Sequence, residues 1–173
     1  VSETVEADAD EAEAAGTLPK ATVDALYESG LFALTLPREL GGAEADPVTQ
    51  FEVIEALSYV NGAAGWCMMN GAAALAAPGA FLHDEVIEQM FPDGQIPKVA
   101  GSVMPKGKAV AVKGGYVLDG HWSFVSGIRY SQWLSGRGPV IRDEQVTSEQ
   151  RRFVFPTGDA RIHDNWQVAG LKG

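Results

Sequence analysis

The sequence predicts an α+β protein, a helical half followed by an antiparallel β half. Apolar residues recur at helical spacing as far as Phe91 and alternate singly beyond Pro92. The charge changes sign at the same place. Residues 1–94 hold 17 acidic and 2 basic side chains, whereas residues 95–173 hold 6 and 11. Three segments follow from this: an acidic disordered tail over 1–16, a helical domain over 17–94 and a β domain over 95–173.

The elements are justified in chain order. Val1 to Ala15 carries six carboxylates and no lysine or arginine, so it reads as a frayed acidic tail and lacks the basic start of a signal peptide. Val23, Leu26, Tyr27 and Leu31 then recur at helical spacing, with Gly30 as a stop. A turn follows at Leu36-Pro37-Arg38-Glu39-Leu40-Gly41-Gly42. Asp46 and Pro47 mark the start of a second helix, whose Val48, Phe51, Ile54 and Leu57 repeat every third residue. Ala63 to Ala77 and Asp84 to Phe91 make two more helices, with a break expected at Pro78-Gly79. In the β half, Ala109 to Val112, the turn Lys113-Gly114-Gly115 and Tyr116 to Leu118 read as a hairpin. Further strands are expected at Gln132 to Ser135, Arg152 to Phe155 and Ile162 to Val168.

Composition removes several classes of function. A net charge of -10 argues against nucleic acid or an anionic membrane as partner. The uncharged run Ala56 to His83 has the length of a membrane span, but Asn61, Gly62, Gly65, Asn70, Gly71, Pro78 and Gly79 interrupt it, and a buried helix pair is the better reading. The single cysteine, Cys67, forms no internal disulfide and fits a reducing compartment, so a cytoplasmic location is expected. His83, His121 and His163 have no ligand spacing, and no metal site is expected. No nucleophile elbow, P-loop or dinucleotide glycine motif is present.

What remains is the dense stretch Gly120 to Leu134, with Trp122, Phe124, Tyr130 and Trp133, three serines and Arg129. On residue patterns alone its aromatics read as β core and Ser126-Gly127 as a turn.

The Pro37-Arg38-Glu39-Leu40-Gly41-Gly42 turn, the hairpin with Tyr116-Val117-Leu118-Asp119-Gly120, and Trp122 leading into Ser126-Gly127 together resemble the acyl-CoA dehydrogenase superfamily. Ser102-Val103-Met104-Pro105 and Trp122-Ser123-Phe124-Val125-Ser126-Gly127 are more similar to its flavin-dependent monooxygenase branch, the oxygenase components related to p-hydroxyphenylacetate hydroxylase and dibenzothiophene monooxygenase. Two features are missing, the first a departure from the dehydrogenases and the second from the monooxygenase branch. The dehydrogenases' Ala-x-Thr-Glu-Pro segment is absent, and no histidine follows Trp66 on its helix.

The resemblance implies a helical domain, a β-barrel-like domain and then a C-terminal helical bundle, which this chain, ending at Gly173, is expected to lack. It implies reduced FMN or FAD, delivered by a separate flavin reductase, reacting with O2 through a C4a-hydroperoxide to hydroxylate or oxygenate a small organic substrate. Ser126 is the catalytic candidate, its hydroxyl about 3 Å from flavin N5. Ser102, Trp122, Gly127 and Arg129 are the further cofactor candidates, respectively a flavin contact, a wall, a close backbone approach and a phosphate ligand. Asn70 is the substrate candidate. A homotetramer is expected of the full-length protein, and this chain alone is expected to be inactive and to bind flavin weakly. An FAD-dependent acyl-CoA dehydrogenase and a truncated, non-catalytic module are the alternatives.

Overall fold

In the computed structural model, which describes residues 1–172, the helices are α1 (Ser2–Ala7), α2 (Ala9–Ala15), α3 (Lys20–Glu28), α4 (Pro47–Val60), α5 (Gly62–Phe81) and α6 (Asp84–Met90). The strands are β1 (Val99–Gly101), β2 (Gly107–Val112), β3 (Gly115–Gly120), β4 (Trp133–Arg142) and β5 (Gln145–Pro156). Helix gives way to strand between Met90 and Val99, and the α+β order holds.

Side-chain caps start the two long helices. The Asp46 carboxylate accepts the Val48 and Thr49 amides at the start of α4, with Pro47 in the first turn, and the Asn61 side chain accepts the Ala64 amide at 2.9 Å to start α5. Asn61 also ends α4, so one residue in extended conformation turns the chain between two packed helices.

The acidic N-terminus is not a frayed tail. It forms α1 and α2, joined at Asp8, and buries Val5 and Ala12 in one cluster with Leu26, Phe32 and Met68. Asp8 Oδ2 accepts both the amide and the hydroxyl of buried Thr22, at 3.1 and 2.7 Å. Two buried apolar side chains and a part-buried pair of hydrogen bonds help to dock a segment whose other side chains are exposed or half-buried.

α5 does not break at Pro78 but continues through it to Phe81. Proline removes one helix hydrogen bond, but here the ring is wholly buried, and packing outweighs the local preference.

The sheet is mixed rather than antiparallel. β5 covers one edge of β4 in antiparallel register from Trp133↔Pro156 to Arg142↔Gln145. Along the other edge, β1 pairs in parallel with the start of β4 and β2 with its end, as Val99↔Trp133 and Ala109↔Val140. The β2–β3 hairpin is antiparallel, as expected. Residues Ile162–Val168 form no strand. Trp133 and Val154, on one face of the β4–β5 ribbon, pack against a core of Leu36, Leu75, Met90 and Val99, so the helices and the sheet share apolar interior. Among the described residues, no helix is long and apolar enough to cross a membrane.

Candidate functional site

Between β3 and β4 the chain runs irregularly, with one short 3-10 turn at Ile128–Tyr130. Phe124 and Gly127 in this segment have φ of 59° and 79°. At Gly127 glycine is required, because a Cβ there would lie 2.7 Å from the Tyr130 hydroxyl. At Phe124 an ordinary residue holds the left-handed conformation, which is uncommon away from glycine. Its ring is 70% exposed and meets Trp166 edge to face at 5.7 Å.

This segment forms one wall of a cleft of about 1220 Å³. The other walls come from Trp66 and Cys67 on α5 and from residues 159–166, which pass across the front. The lining carries both signs of charge, with Lys106, Arg129 and Arg161 against Asp119, Asp159 and Asp164.

The structure gives the five cofactor candidates different surroundings. Ser126 lines the cleft, and its Oγ accepts the Trp66 indole N–H at 3.0 Å. Gly127 follows it at the turn into the short helix. Trp122 supports the segment from beneath. Its indole N–H donates to the Arg137 carbonyl at 2.9 Å, and its ring stands against Phe155. Gly107, Gly120 and Gly136 form the slot for that ring, since a Cβ on Gly107 or Gly136 would come within 2.2 or 2.6 Å of it. Ser102 is buried, 3% exposed, and its hydroxyl donates to the Ser123 carbonyl at 2.9 Å. Arg129 pairs with Asp164 across the cleft. The substrate candidate, Asn70, donates its side-chain amide to the Trp66 carbonyl at 2.8 Å.

Below the segment, the Tyr130 hydroxyl is buried against the Cys67 thiol without an oxygen or nitrogen partner. Burial raises the Tyr130 hydroxyl well above the usual phenol range, and the neighbouring thiol adds to the effect. Burial likewise pushes Cys67 up to about 11, against a smaller lowering by the Tyr130 hydrogen bond. Both groups are therefore neutral at physiological pH, and Phe32 packs on the Tyr130 ring at 6.1 Å. At the outer rim His121 and His163 stack at 5.3 Å. Among the described residues no group of three or more His, Cys, Asp or Glu side chains could hold a metal ion.

Sequence reasoning did not single out Trp66 and Tyr130 as parts of this site. Trp66 lies sixty residues before Ser126 on a helix with no amphipathic stripe to single it out, so no local signal joins the two.

Residues 1–92 match the family described as acyl-CoA dehydrogenase, N-terminal domain, and the chain belongs to that family. Over 157 residues it is 32% identical to the flavin-dependent monooxygenase, oxygenase subunit HsaA, of Mycobacterium tuberculosis, covering 90% of this chain and 39% of that protein. Among solved structures, 3-HSA hydroxylase from Rhodococcus sp. RHA1 superposes with a TM-score of 0.88 at 29% identity, covering 99% of this chain and 44% of that one. XiaF from Streptomyces sp., in complex with FADH2 and glycerol, gives 0.88 at 26% identity, covering 99% and 43%. The chain thus spans less than half the length of the relatives it matches.

Proposed function

We propose that this chain forms the flavin-facing front of the oxygenase component of a two-component monooxygenase. In this reading the protein takes reduced FMN or FAD from a separate reductase and uses O2 to oxygenate a small organic substrate. The observation that carries it is the Ser126 hydroxyl, held at the cleft by Trp66, with no acceptor for its own proton among the hydrogen bonds of the described residues. A ring edge presenting nitrogen and carbonyl atoms would supply that acceptor, and the cleft has room for a tricyclic ring. Matches along nearly the whole chain to an oxygenase subunit and to a protein seen with FADH2 support the same reading.

Bound reduced flavin supplies two electrons, so that one atom of O2 enters the substrate and the other leaves as water. This chain's own residues supply part of the rest. Ser126 and the Gly127 backbone hold the ring edge, with the Ser126 hydroxyl giving or taking a proton-sharing contact there. Phe124, Trp66 and Trp166 keep water from the reacting face. Ser102 and Trp122 act one layer back, by fixing Ser123 and the base of the segment. Arg129, which pairs with Asp164 through one guanidinium nitrogen, is the residue that would meet a phosphate with its remaining donors. Asn70 is not among the residues lining the cleft, and its side-chain amide is bound back to the Trp66 carbonyl, so it meets a substrate only if that substrate extends beyond the cleft walls. Assembly as a tetramer and a cytoplasmic location belong to the same reading.

Anaerobic titration of the 173-residue chain with reduced FMN tests it. Weak, saturable binding is expected, reduced about three- to tenfold by Ser126→Ala, the range set by one net hydrogen bond. Absence of saturable binding, or binding indifferent to Ser126→Ala, contradicts the reading.

A further inference from the structure

We infer that Trp66 is a positioning residue that sets which way the Ser126 hydroxyl faces; the ligand it faces rests on the flavin reading above. An indole N–H can only donate, so in the 3.0 Å contact the serine oxygen must accept. That contact occupies one lone pair and fixes the side-chain rotation. The hydroxyl proton and the second lone pair are left for the cleft. Ser123 also lines the cleft, but among the hydrogen bonds of the described residues none fixes its hydroxyl as Trp66 fixes that of Ser126. Ser102 and Ser131 differ again, because Ser102 donates to the Ser123 carbonyl and Ser131 to the Gly127 carbonyl. Their protons are spoken for within the chain, and Ser126's is not.

Trp66 is suited to this task by where it is mounted. It stands on the twenty-residue helix α5, which starts at a side-chain cap and lies close to α4 at Gly65, where a Cβ would fall 2.1 Å from the Ser58 hydroxyl. Ser126 lies on the irregular segment, which at that point has neither strand nor helix to hold it. A rigid donor sixty residues away therefore sets the orientation of a side chain whose own backbone does not. The ligand that fits is flat and heteroaromatic, with an acceptor atom at its edge.

The indole proton of Trp66 reports on this directly. In a 1H–15N spectrum of the 173-residue chain, Trp66→Phe identifies its resonance among those of the four tryptophans. Ser126→Ala is expected to move that resonance to lower proton shift and to speed its exchange with water. Titration with FMN, followed on the remaining resonances, is expected to show about three- to tenfold weaker binding for Trp66→Phe and for Ser126→Ala alike. Trp66→Phe added to Ser126→Ala is expected to cost nothing more, because a residue acting through Ser126 has nothing left to act on. An indole resonance unmoved by Ser126→Ala overturns the inference, and so do losses that add in the double variant. A resonance that answers Ser126→Ala while no cleft resonance answers FMN supports the pairing and overturns the flavin reading.

Discussion

Ser126 and its neighbours show how little of a site's chemistry resides in a single residue. The hydroxyl takes its direction from Trp66, the turn beside it needs glycine because of Tyr130, and Tyr130 in turn lies on Cys67. Burial makes Cys67 an inert thiol. With its pKa pushed from 9.0 to about 11, it carries about a hundredfold less thiolate at pH 8 than in the unfolded chain. Iodoacetamide labelling of the native chain at pH 8 is expected to be slower than that of the urea-unfolded chain by at least this ratio. The same shift fixes a sign in the pH dependence of stability. The folded form holds the thiol proton more tightly, so the stability it contributes is complete below about pH 9 and is lost as the pH rises towards 11. The slot around Trp122 gives a second residue-level prediction. A methyl group at Gly136 would sit 2.6 Å from the indole, so Gly136→Ala is expected to cost about 1–3 kcal/mol in urea unfolding. Gly158→Ala, where a Cβ meets nothing within 4 Å, is expected to stay within about 0.5 kcal/mol of the parent.

Elements were legible where the local pattern and the tertiary packing agree. α3, α4 and α6 carry apolar residues at helical spacing or strong start signals, and the β2–β3 hairpin carries its alternation and paired glycines, so each lies close to where the sequence puts it. Packing prevails elsewhere. Pro78 sits inside α5 because its ring is buried, and the acidic N-terminus is helical because Val5, Ala12 and Asp8 find partners outside the segment. β1 has three residues, too few for alternation to show, and no periodicity states whether a strand's partner runs parallel. Two predictions belong here. Asp8→Ala leaves the amide and hydroxyl of buried Thr22 without their acceptor and is expected to cost about 1–3 kcal/mol, with loss of amide-exchange protection in α1 and α2. Asn61→Ala removes the cap of α5 and is expected to lower stability by about 1 kcal/mol in thermal denaturation.

At the scale of the whole molecule, the change of charge and of apolar period near Gly94 divides the chain where helix gives way to sheet, yet the site forms across that division. Trp66 and Cys67 come from the helical half, Ser126 and Gly127 from the segment between β3 and β4, and His163, Asp164 and Trp166 from the last stretch of chain. The sequence pattern marked the middle member, Ser126-Gly127, through a family resemblance. The side chains that orient and enclose it come from far along the chain and become visible only in three dimensions. The central claim is that the cleft between these three parts is where flavin lies. Amide chemical-shift mapping of the chain during titration with FMN tests it most directly. The account predicts the largest changes over residues 119–130 and around Trp66 and Trp166; changes centred instead on the exposed α4 face at Phe51 and Tyr59, with the cleft silent, would contradict it.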